Sequence, residues 1–337
     1  MRTARIVEEG AGYYHIISRV VGREFVFGPE TERERFRITM RAVEGFSGNQ
    51  ILTWACLSNH FHVLLYVPEQ QEVSDSELVR RMRFLYRTEQ VELFRDQLAD
   101  LRAHGLHEQA QLMRAPFVKR MYNLADFVKT LKQRVSISYN RRNRRVGTLW
   151  EERFKSVLVE GECGTLRTVA AYIDLNPVRA GLASDPADYR YSGYGEAVGG
   201  SSQAREGLAQ VVGGGGAWGA VSGEYRQVLY IKGMEQGLAL DGGPVRTGFS
   251  EEQVEAVVAV KGKRSLGEVL RGRVRYFTDG LVLGRKVFVE DAFWRHRKHF
   301  SAKRKDGARP MKGAEWGDLF TVRALRVKVL EAEPAHV

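Results

Sequence analysis

The sequence predicts an α+β fold: a ferredoxin-like antiparallel sheet with helices on one face, followed by a smaller basic C-terminal domain. Aromatic and β-branched runs read as strands, amphipathic stretches between them read as helices, and glycine or proline marks the junctions. The order along the chain is strand, helix, strand, strand, helix, strand, which is the ferredoxin-like order. A sheet with helices on one face leaves its other face available to a ligand.

The elements of this first domain follow in order. Pro29 precedes the first helix, Gly45 and Gly48 close it, and Asn123 is placed to cap the second helix. Ser58 and Asn59 make a short turn between the two middle strands. The predicted spans are strand 13–21, helix 31–46, strands 51–57 and 60–67, a helix from 124 that ends near 139–145, and strand 150–159.

Changes in composition predict the domain limits. A first domain covers residues 1–195, with an inserted helical pair at about 74–115 where Arg, Glu, Leu and Gln dominate, and a short helix at 166–175. Glycine-rich stretches at 199–200 and 213–216 indicate a linker region over 196–249. A basic C-terminal domain is expected over 250–337, beginning with a helix at 251–260 that Ser250 caps.

Charge and cysteine content narrow the class of protein. The 337 residues carry a net charge of +11, which favours a polyanionic partner such as nucleic acid. Cys56 and Cys163 are far apart, which excludes a disulfide framework or a cysteine-based zinc site. The sequence shows no signal-peptide pattern and no apolar run long enough for a membrane span, so we expect a soluble, cytoplasmic protein without a membrane partner.

Two histidines in an apolar strand form the first candidate site. Residues i and i+2 of a strand point to the same face, so His60 and His62 project side by side while Phe61 points to the other face. Paired imidazoles suit a divalent cation. The alternative interpretation is a pair of surface or hydrogen-bonded strand histidines with no ligand.

A basic segment with a tyrosine forms the second candidate site. Residues 129–155 contain nine basic and two acidic side chains, a net charge of +7, which suits a phosphate backbone but also a solvated helix face. A tyrosine hydroxyl can attack a phosphodiester if the negative charge that develops on the transferring phosphoryl group is stabilised. A divalent cation can polarise that phosphate. Tyr139 is the candidate nucleophile, and Asn143, one helical turn later, is the candidate third ligand. The candidate DNA contacts are Lys132, Arg134, Arg141, Arg142, Arg144, Arg145, Arg153 and Lys155.

These motifs, in this order, resemble the IS200-like single-tyrosine transposases, and in particular the branch of REP-associated tyrosine transposases. The resemblance covers about Gly12 to Tyr194; the insert is longer than that family has, and the C-terminal domain lies outside it. The motifs that carry the resemblance are His60-Phe61-His62 after Trp54–Asn59, Tyr139-Asn140, Gly147–Ser156, Tyr172–Gly181 and Tyr189–Ser192.

The resemblance implies a reaction and its residues. His60 and His62 match a histidine pair that binds Mg²⁺ or Mn²⁺, and Tyr139 matches a nucleophile that forms a 5′-phosphotyrosine with single-stranded DNA. Asn143 falls where the family places a third polar ligand, often Gln. The implied partner is single-stranded DNA near a hairpin, of the REP or element-end kind. The protein would act as a monomer or as a homodimer in which the tyrosine comes from the partner chain.

Two other functions remain open from the sequence. The same basic surface fits a non-catalytic regulator that holds DNA hairpins, and the same chemistry fits a rolling-circle replication initiator or relaxase. The C-terminal domain adds its own basic, aromatic-interleaved cluster that suits DNA. Its cations are Arg295, Arg297, Lys298, Lys303, Arg304, Lys305 and Arg309, against the single acid Asp306.

Overall fold

The structure, a computed structural model, describes residues 5–230, 270, 273–312, 316–323, 325 and 330–331. It has a mixed α+β fold, as the sequence predicts. Its contacts divide the chain into an N-terminal unit, Val7–Ile51 with Cys56–Phe154, and a C-terminal unit, Met1–Ile6 and Leu52–Ala55 with Lys155–Val337. This division does not coincide with a boundary at residue 195, and the domain limits remain predictions.

The predicted element order is confirmed over the first 159 residues. Leu57 N donates to His60 O at 2.8 Å, which closes the predicted turn between the two middle strands. The elements are β1 Gly12–Arg19, α1 Glu30–Ser47, β2 Gln50–Cys56, β3 His60–Val67, α2 Asp75–Met82, α3 Thr88–Ala103, α4 His107–Val118, α5 Leu124–Arg142 and β4 Lys155–Val159.

Strands β1 and β3 of the N-terminal unit form a long antiparallel pair. Its register joins Gly12 to Val67 and Arg19 to His60. Because side chains alternate along each strand, the pair has two different faces. One face carries the histidines, and we call it the histidine face; the other carries Phe61 and faces the helices.

Helices α1 and α5 cover the Phe61 face. In α1, Phe36, Met40 and Val43 recur at helical spacing and are fully buried, and the Phe36 ring lies 4.9 Å from that of Phe61. Gly48 ends α1 in the left-handed conformation with φ 71°. In α5, Asn123 caps the first turn by accepting from Asp126 N at 3.0 Å, as its position in the sequence predicts.

The insert contains three helices, α2, α3 and α4, where the sequence indicated a pair. Ser74 caps α2 by accepting from Glu77 N, and Gly105, with φ 71°, separates α3 from α4. Each helix buries a few apolar side chains, among them Leu78 and Val91. The sequence pattern missed the break because α3 and α4 share the same Arg, Glu and Leu composition.

The C-terminal unit adds further strands and helices. β4 pairs in parallel with β6 (Val282–Gly284), and β6 and β7 (Arg309–Pro310) each pair antiparallel with β8 (Phe320–Thr321), so strands from outside the predicted first domain make the sheet mixed. The parallel pair is possible because more than a hundred residues connect the two strands, and parallel strands need a long crossover. The elements are α6 Cys163–Asp174, α7 Asn176–Arg179, α8 Gly193–Val198, α9 Ser202–Val212, α10 Trp218–Tyr230, β5 Arg273–Val274, α11 Arg275–Asp279, β6 Val282–Gly284, α12 Lys286–Arg295, β7 Arg309–Pro310, β8 Phe320–Thr321 and β9 Leu330–Glu331.

The described part of the segment predicted as a glycine-rich linker is helical. Leu208 and Val211 of α9 and Tyr225 of α10 are fully buried, so these helices belong to a packed core. Gly199 ends α8 and Gly213 ends α9 with φ 82°, and the exposed glycines 214–216 connect α9 to α10. The rest of the predicted linker, from 231, and the predicted helix at 251–260 lie outside the described residues.

A buried carboxylate organises the core of the C-terminal unit. Asp174, at the end of α6, accepts hydrogen bonds from Thr53 Oγ1 at 2.8 Å, Tyr194 N at 2.9 Å and Tyr225 Oη at 2.6 Å. Nearby, Trp54 Nε1 donates to the Glu196 carboxylate at 2.7 Å. These bonds tie residues distant in sequence to one point, and they satisfy polar groups that burial would otherwise penalise.

Candidate functional site

The predicted histidine pair is buried on one face of β3. His60 and His62 are 6% and 3% exposed, and their ring centroids lie 5.2 Å apart on the histidine face. His60 Nδ1 lies 2.7 Å from Asn59 Oδ1, which fixes the ring orientation. The two rings therefore lie side by side, as strand alternation predicts.

A third histidine completes this cluster, and the sequence argument did not select it. His15 of β1 is fully buried, and its Nε2 lies 2.9 Å from His62 Nδ1. Because β1 alternates like β3 and Ile17 is paired with His62, His15 falls on the histidine face. The signal was present in the alternating strand pattern at 13–21, but only the pairing register shows which strand lies beside β3.

The cluster fits part of a cation site. The bonds to Asn59 and His15 engage the Nδ1 atoms of His60 and His62 and hold both rings in place. Imidazole nitrogen suits Mn²⁺ better than Mg²⁺, which prefers oxygen ligands. Within the described part of the chain, no group of three or more His, Cys, Asp or Glu side chains is arranged as a metal site.

Tyr139 and Asn143 lie at the C-terminal end of α5, and the packing of this helix shows which face of the strand pair it covers. Trp150 links Phe61 to α5: its ring lies 5.6 Å from that of Phe61, and its Nε1 donates to Ser136 Oγ at 2.8 Å. Helix α5 is therefore on the Phe61 face, opposite the histidine face, and Tyr139 lies one turn beyond Ser136.

Asn143 has a structural role at the end of α5. Its backbone N and its Nδ2 both donate to the Tyr139 carbonyl, at 3.0 and 2.9 Å, so it closes the last turn of the helix. The roles of Tyr139 as nucleophile and of Asn143 as ligand remain predictions from the resemblance. Both residues lie at the C-terminal end of α5, where Tyr139 is half-buried and Asn143 is exposed.

The predicted DNA-contacting cations fall into two groups. Lys132 donates to Glu152 O at 2.8 Å, Arg134 to Leu85 O at 2.6 Å, and Lys155 pairs with Asp279 at 3.0 Å. Arg142 pairs with Glu32 at 2.6 Å, and Arg145 donates to Thr148 O at 2.8 Å. These five cations have partners within the fold, and two of them, Arg142 and Lys155, are nevertheless exposed, as are Arg141, Arg144 and Arg153.

The cations of the predicted C-terminal cluster divide in a similar way. Arg297 and Arg304 donate to backbone carbonyls, and burial lowers the pKa of Arg304, as does the nearby Arg309. Arg295 pairs with Asp291 at 2.7 Å. Three lysines remain exposed: Lys298, Lys303 and Lys305.

Comparison with known proteins gives one structural likeness to report. No protein-family model matches the chain, and no curated protein matches it. A solved structure of a REP-associated tyrosine transposase bound to a REP hairpin covers 59% of this chain and 85% of its own, with a TM-score of 0.36 and 14% identity. No helix in the described part of the chain has the length and apolarity to cross a membrane. Membership of the transposase family remains a prediction from the sequence motifs.

Proposed function

We propose that the protein is a metal-dependent endonuclease and strand transferase that acts on single-stranded DNA beside a hairpin, in the manner of a transposase. The observation that carries this proposal is the buried cluster of His15, His60 and His62 on one sheet face. Burying three imidazoles together is costly unless they serve one another or a ligand. The basic character of α5 and its C-terminal end supports a phosphate-bearing substrate.

The proposed chemistry is transesterification by a tyrosine. Mn²⁺ or Mg²⁺ on His60 and His62 would supply a Lewis acid for the scissile phosphate. The Tyr139 hydroxyl forms a bond to phosphorus as the bond from phosphorus to the 3′ oxygen breaks, and the phenolic proton ends on that 3′ oxygen. The product is a 5′-phosphotyrosine and a free 3′-hydroxyl. The reverse attack by a 3′-hydroxyl joins a new strand, so no ATP is needed.

The geometry favours a dimer for this reaction. Helix α5 lies on the Phe61 face, so Tyr139 of one chain does not share a sheet face with the histidines of that chain. In a homodimer, Tyr139 of one protomer would act beside the histidine face of its partner. We therefore propose the arrangement with the tyrosine donated by the partner chain, one of the two that the sequence left open.

The test uses labelled single-stranded oligonucleotides taken from the hairpin-bearing flanks of the gene. With Mn²⁺ or Mg²⁺, we expect a label that migrates with the protein on a denaturing gel, lost with EDTA and with Tyr139→Phe. A second experiment mixes two inactive variants: Tyr139→Phe, and a double variant with His60→Ala and His62→Ala. We expect no adduct from either variant alone. The mixture should regain the adduct, on the histidine variant only, because that chain supplies the tyrosine.

Tyr172→Phe is the parallel variant in this test. Tyr172 lies in the fourth motif of the resemblance, but its side chain is 1% exposed and Arg179 covers its ring at 4.3 Å. The adduct should therefore persist in Tyr172→Phe, and its loss in that variant as well as in Tyr139→Phe would contradict the assignment of Tyr139 as the nucleophile.

A non-catalytic DNA-binding regulator is the second candidate. It is favoured by one observation: Asn143, the candidate third ligand, closes the end of α5 by donating from Nδ2 to the Tyr139 carbonyl at 2.9 Å. For this function, we expect tight binding of the hairpin oligonucleotides and no adduct with any tyrosine variant or either cation.

A further inference from the structure

Helices α1 and α5 form the two sides of a cationic groove in the N-terminal unit. The groove has a volume of about 940 Å³, and Tyr86 and the loop after α4 complete its lining. Among its lining residues, Asp126 supplies a carboxylate against six cations. We call it the basic groove, and its cations are Lys119, Arg120, Lys129, Arg134, Arg141 and Arg142.

Three of these cations have partners within the fold, and one of them, Arg142, pairs with Glu32 at 2.6 Å. Arg120 donates to Tyr86 Oη at 2.6 Å and to Thr130 Oγ1 at 3.2 Å. Arg134 donates to Leu85 O, and burial lowers its pKa, although Tyr86 acts in the opposite direction. A guanidinium held in place at a partly desolvated site attracts an anion more strongly than a solvated one. The groove therefore has a preorganised positive lining.

The other part of the groove is accessible. Lys119, Lys129 and Arg141 are exposed and present charged ends for phosphate. Ile38 and Ile137, one on each helix, line the same groove and are 56% and 60% exposed. Exposed apolar side chains between cations match a ligand with both a charged backbone and flat apolar rings, as single-stranded nucleic acid has.

The dimensions favour one strand over a duplex. Groove residues recur along one face of α5 from Asp126 to Arg142, a length of about 24 Å at 1.5 Å per residue, enough for about seven stacked nucleotides. The volume divided by this length gives a mean cross-section of about 40 Å², or about 6 Å across. A DNA duplex carries grooves of ~12 and ~6 Å on its own surface and is wider than this cleft, so the cleft suits one strand better than a whole duplex.

We infer that the basic groove is a binding site for a segment of single-stranded DNA, separate from the histidine face. The inference rests on the proposed function in taking DNA as the polyanion. Because α5 covers the Phe61 face, a strand in the basic groove is anchored on the side of the sheet opposite the histidines. The long insert contributes Lys119 and Arg120 at its end, which gives this part of the chain a role in binding.

The test is a binding measurement on the full chain in EDTA, where no cation-dependent step occurs. A fluorescein-labelled 12-nucleotide single strand and the matching duplex are titrated, with anisotropy as the readout, over a range of salt. The groove variant combines Lys119→Gln, Lys129→Gln and Arg141→Gln. The control removes the same charge from exposed arginines of the insert outside the groove: Arg80→Gln, Arg83→Gln and Arg95→Gln.

We expect the groove variant to bind the single strand roughly 10–100-fold more weakly near 0.1 M salt, and its salt slope to fall by about 2. The control should change affinity less than about 3-fold, with both variants melting at the wild-type temperature. Equal losses in the two variants, or a loss confined to the duplex, would overturn the inference. A groove effect with no tyrosine adduct in wild type would support the basic groove and reject the proposed transesterase.

Discussion

His15 holds His62 in place from the neighbouring strand. If His62 binds a cation, its hydrogen bond to His15 sets the orientation of its ring. Removing a residue that orients a metal ligand in this way typically lowers the affinity for the metal by about 10–100-fold. We therefore expect His15→Ala to weaken Mn²⁺ binding by that factor, measured by calorimetric titration. The control is His104→Ala, an exposed histidine at the end of α3. Unchanged affinity in His15→Ala would show that His15 only packs beside the site.

Asp174 makes stability depend on pH. Burial raises the pKa of its carboxyl from 3.8 to about 6, against the bonds from Tyr225, Tyr194 and Thr53, which lower it. Between pH about 4 and 6 the folded state keeps a proton that the unfolded chain has lost. The contribution of the Asp174 carboxyl to the free energy of unfolding is therefore highest below about pH 4. It falls as the pH rises from about 4 to 6 and is constant above that range.

The measurement compares wild type with Asp174→Asn by urea unfolding at each pH. Asn cannot ionise, so the difference in unfolding free energy between the two proteins isolates this carboxyl. From pH 4 to pH 7 we expect wild type to lose about 3 kcal/mol relative to the variant. A difference that stays flat across this range would mean that Asp174 ionises normally in the folded protein.

Helix α5 is the element on which the basic groove depends. Its first turn is held by the Asn123 side chain, which accepts from Asp126 N at 3.0 Å. We expect Asn123→Ala to lower the free energy of unfolding by about 1 kcal/mol, because the cap is lost. Asn123→Asp keeps an acceptor at this position and should be close to wild type. Equal losses in the two variants, measured by urea unfolding, would show that the cap is not the cause.

The insert is the element that the sequence predicted least well. Its three helices bury few large side chains, yet its last residues, Lys119 and Arg120, reach the basic groove. A helical pair of the predicted length would have the same composition. The additional break at Gly105 changes the direction of the chain, and so places α4 and the residues after it.

Net charge governs binding at the scale of the whole molecule. With +11 overall and six cations in the basic groove, DNA binding should be strongly salt-dependent. If the three exposed cations Lys119, Lys129 and Arg141 each neutralise a phosphate of a single strand, raising NaCl from 50 to 200 mM should weaken binding roughly 20-fold. Anisotropy titrations check this slope. A salt-independent affinity would mean that apolar contacts, not phosphates, hold the strand.

The sequence by itself determined the mixed α+β class, the order of elements to residue 159 and the shared face of His60 and His62. Each depends on local physics: strand alternation, helical spacing of residues such as Phe36 and Met40, and the cap by Asn123. Local patterns of this kind are read directly from neighbouring residues. The burial of Trp150 in the core is also predicted from the local sequence, because an aromatic residue in a predicted strand favours packing against the sheet.

Only the tertiary structure decided which distant residues meet. His15 joins His62 through the register of β1 with β3, and Trp150 places α5 on the face away from the histidines. The parallel pairing of β4 with β6, and the burial of Leu208 and Tyr225 in a segment read as a linker, have the same origin. Pairing and packing depend on free energies summed over residues far apart in the chain, and a pattern of neighbouring residues does not contain them.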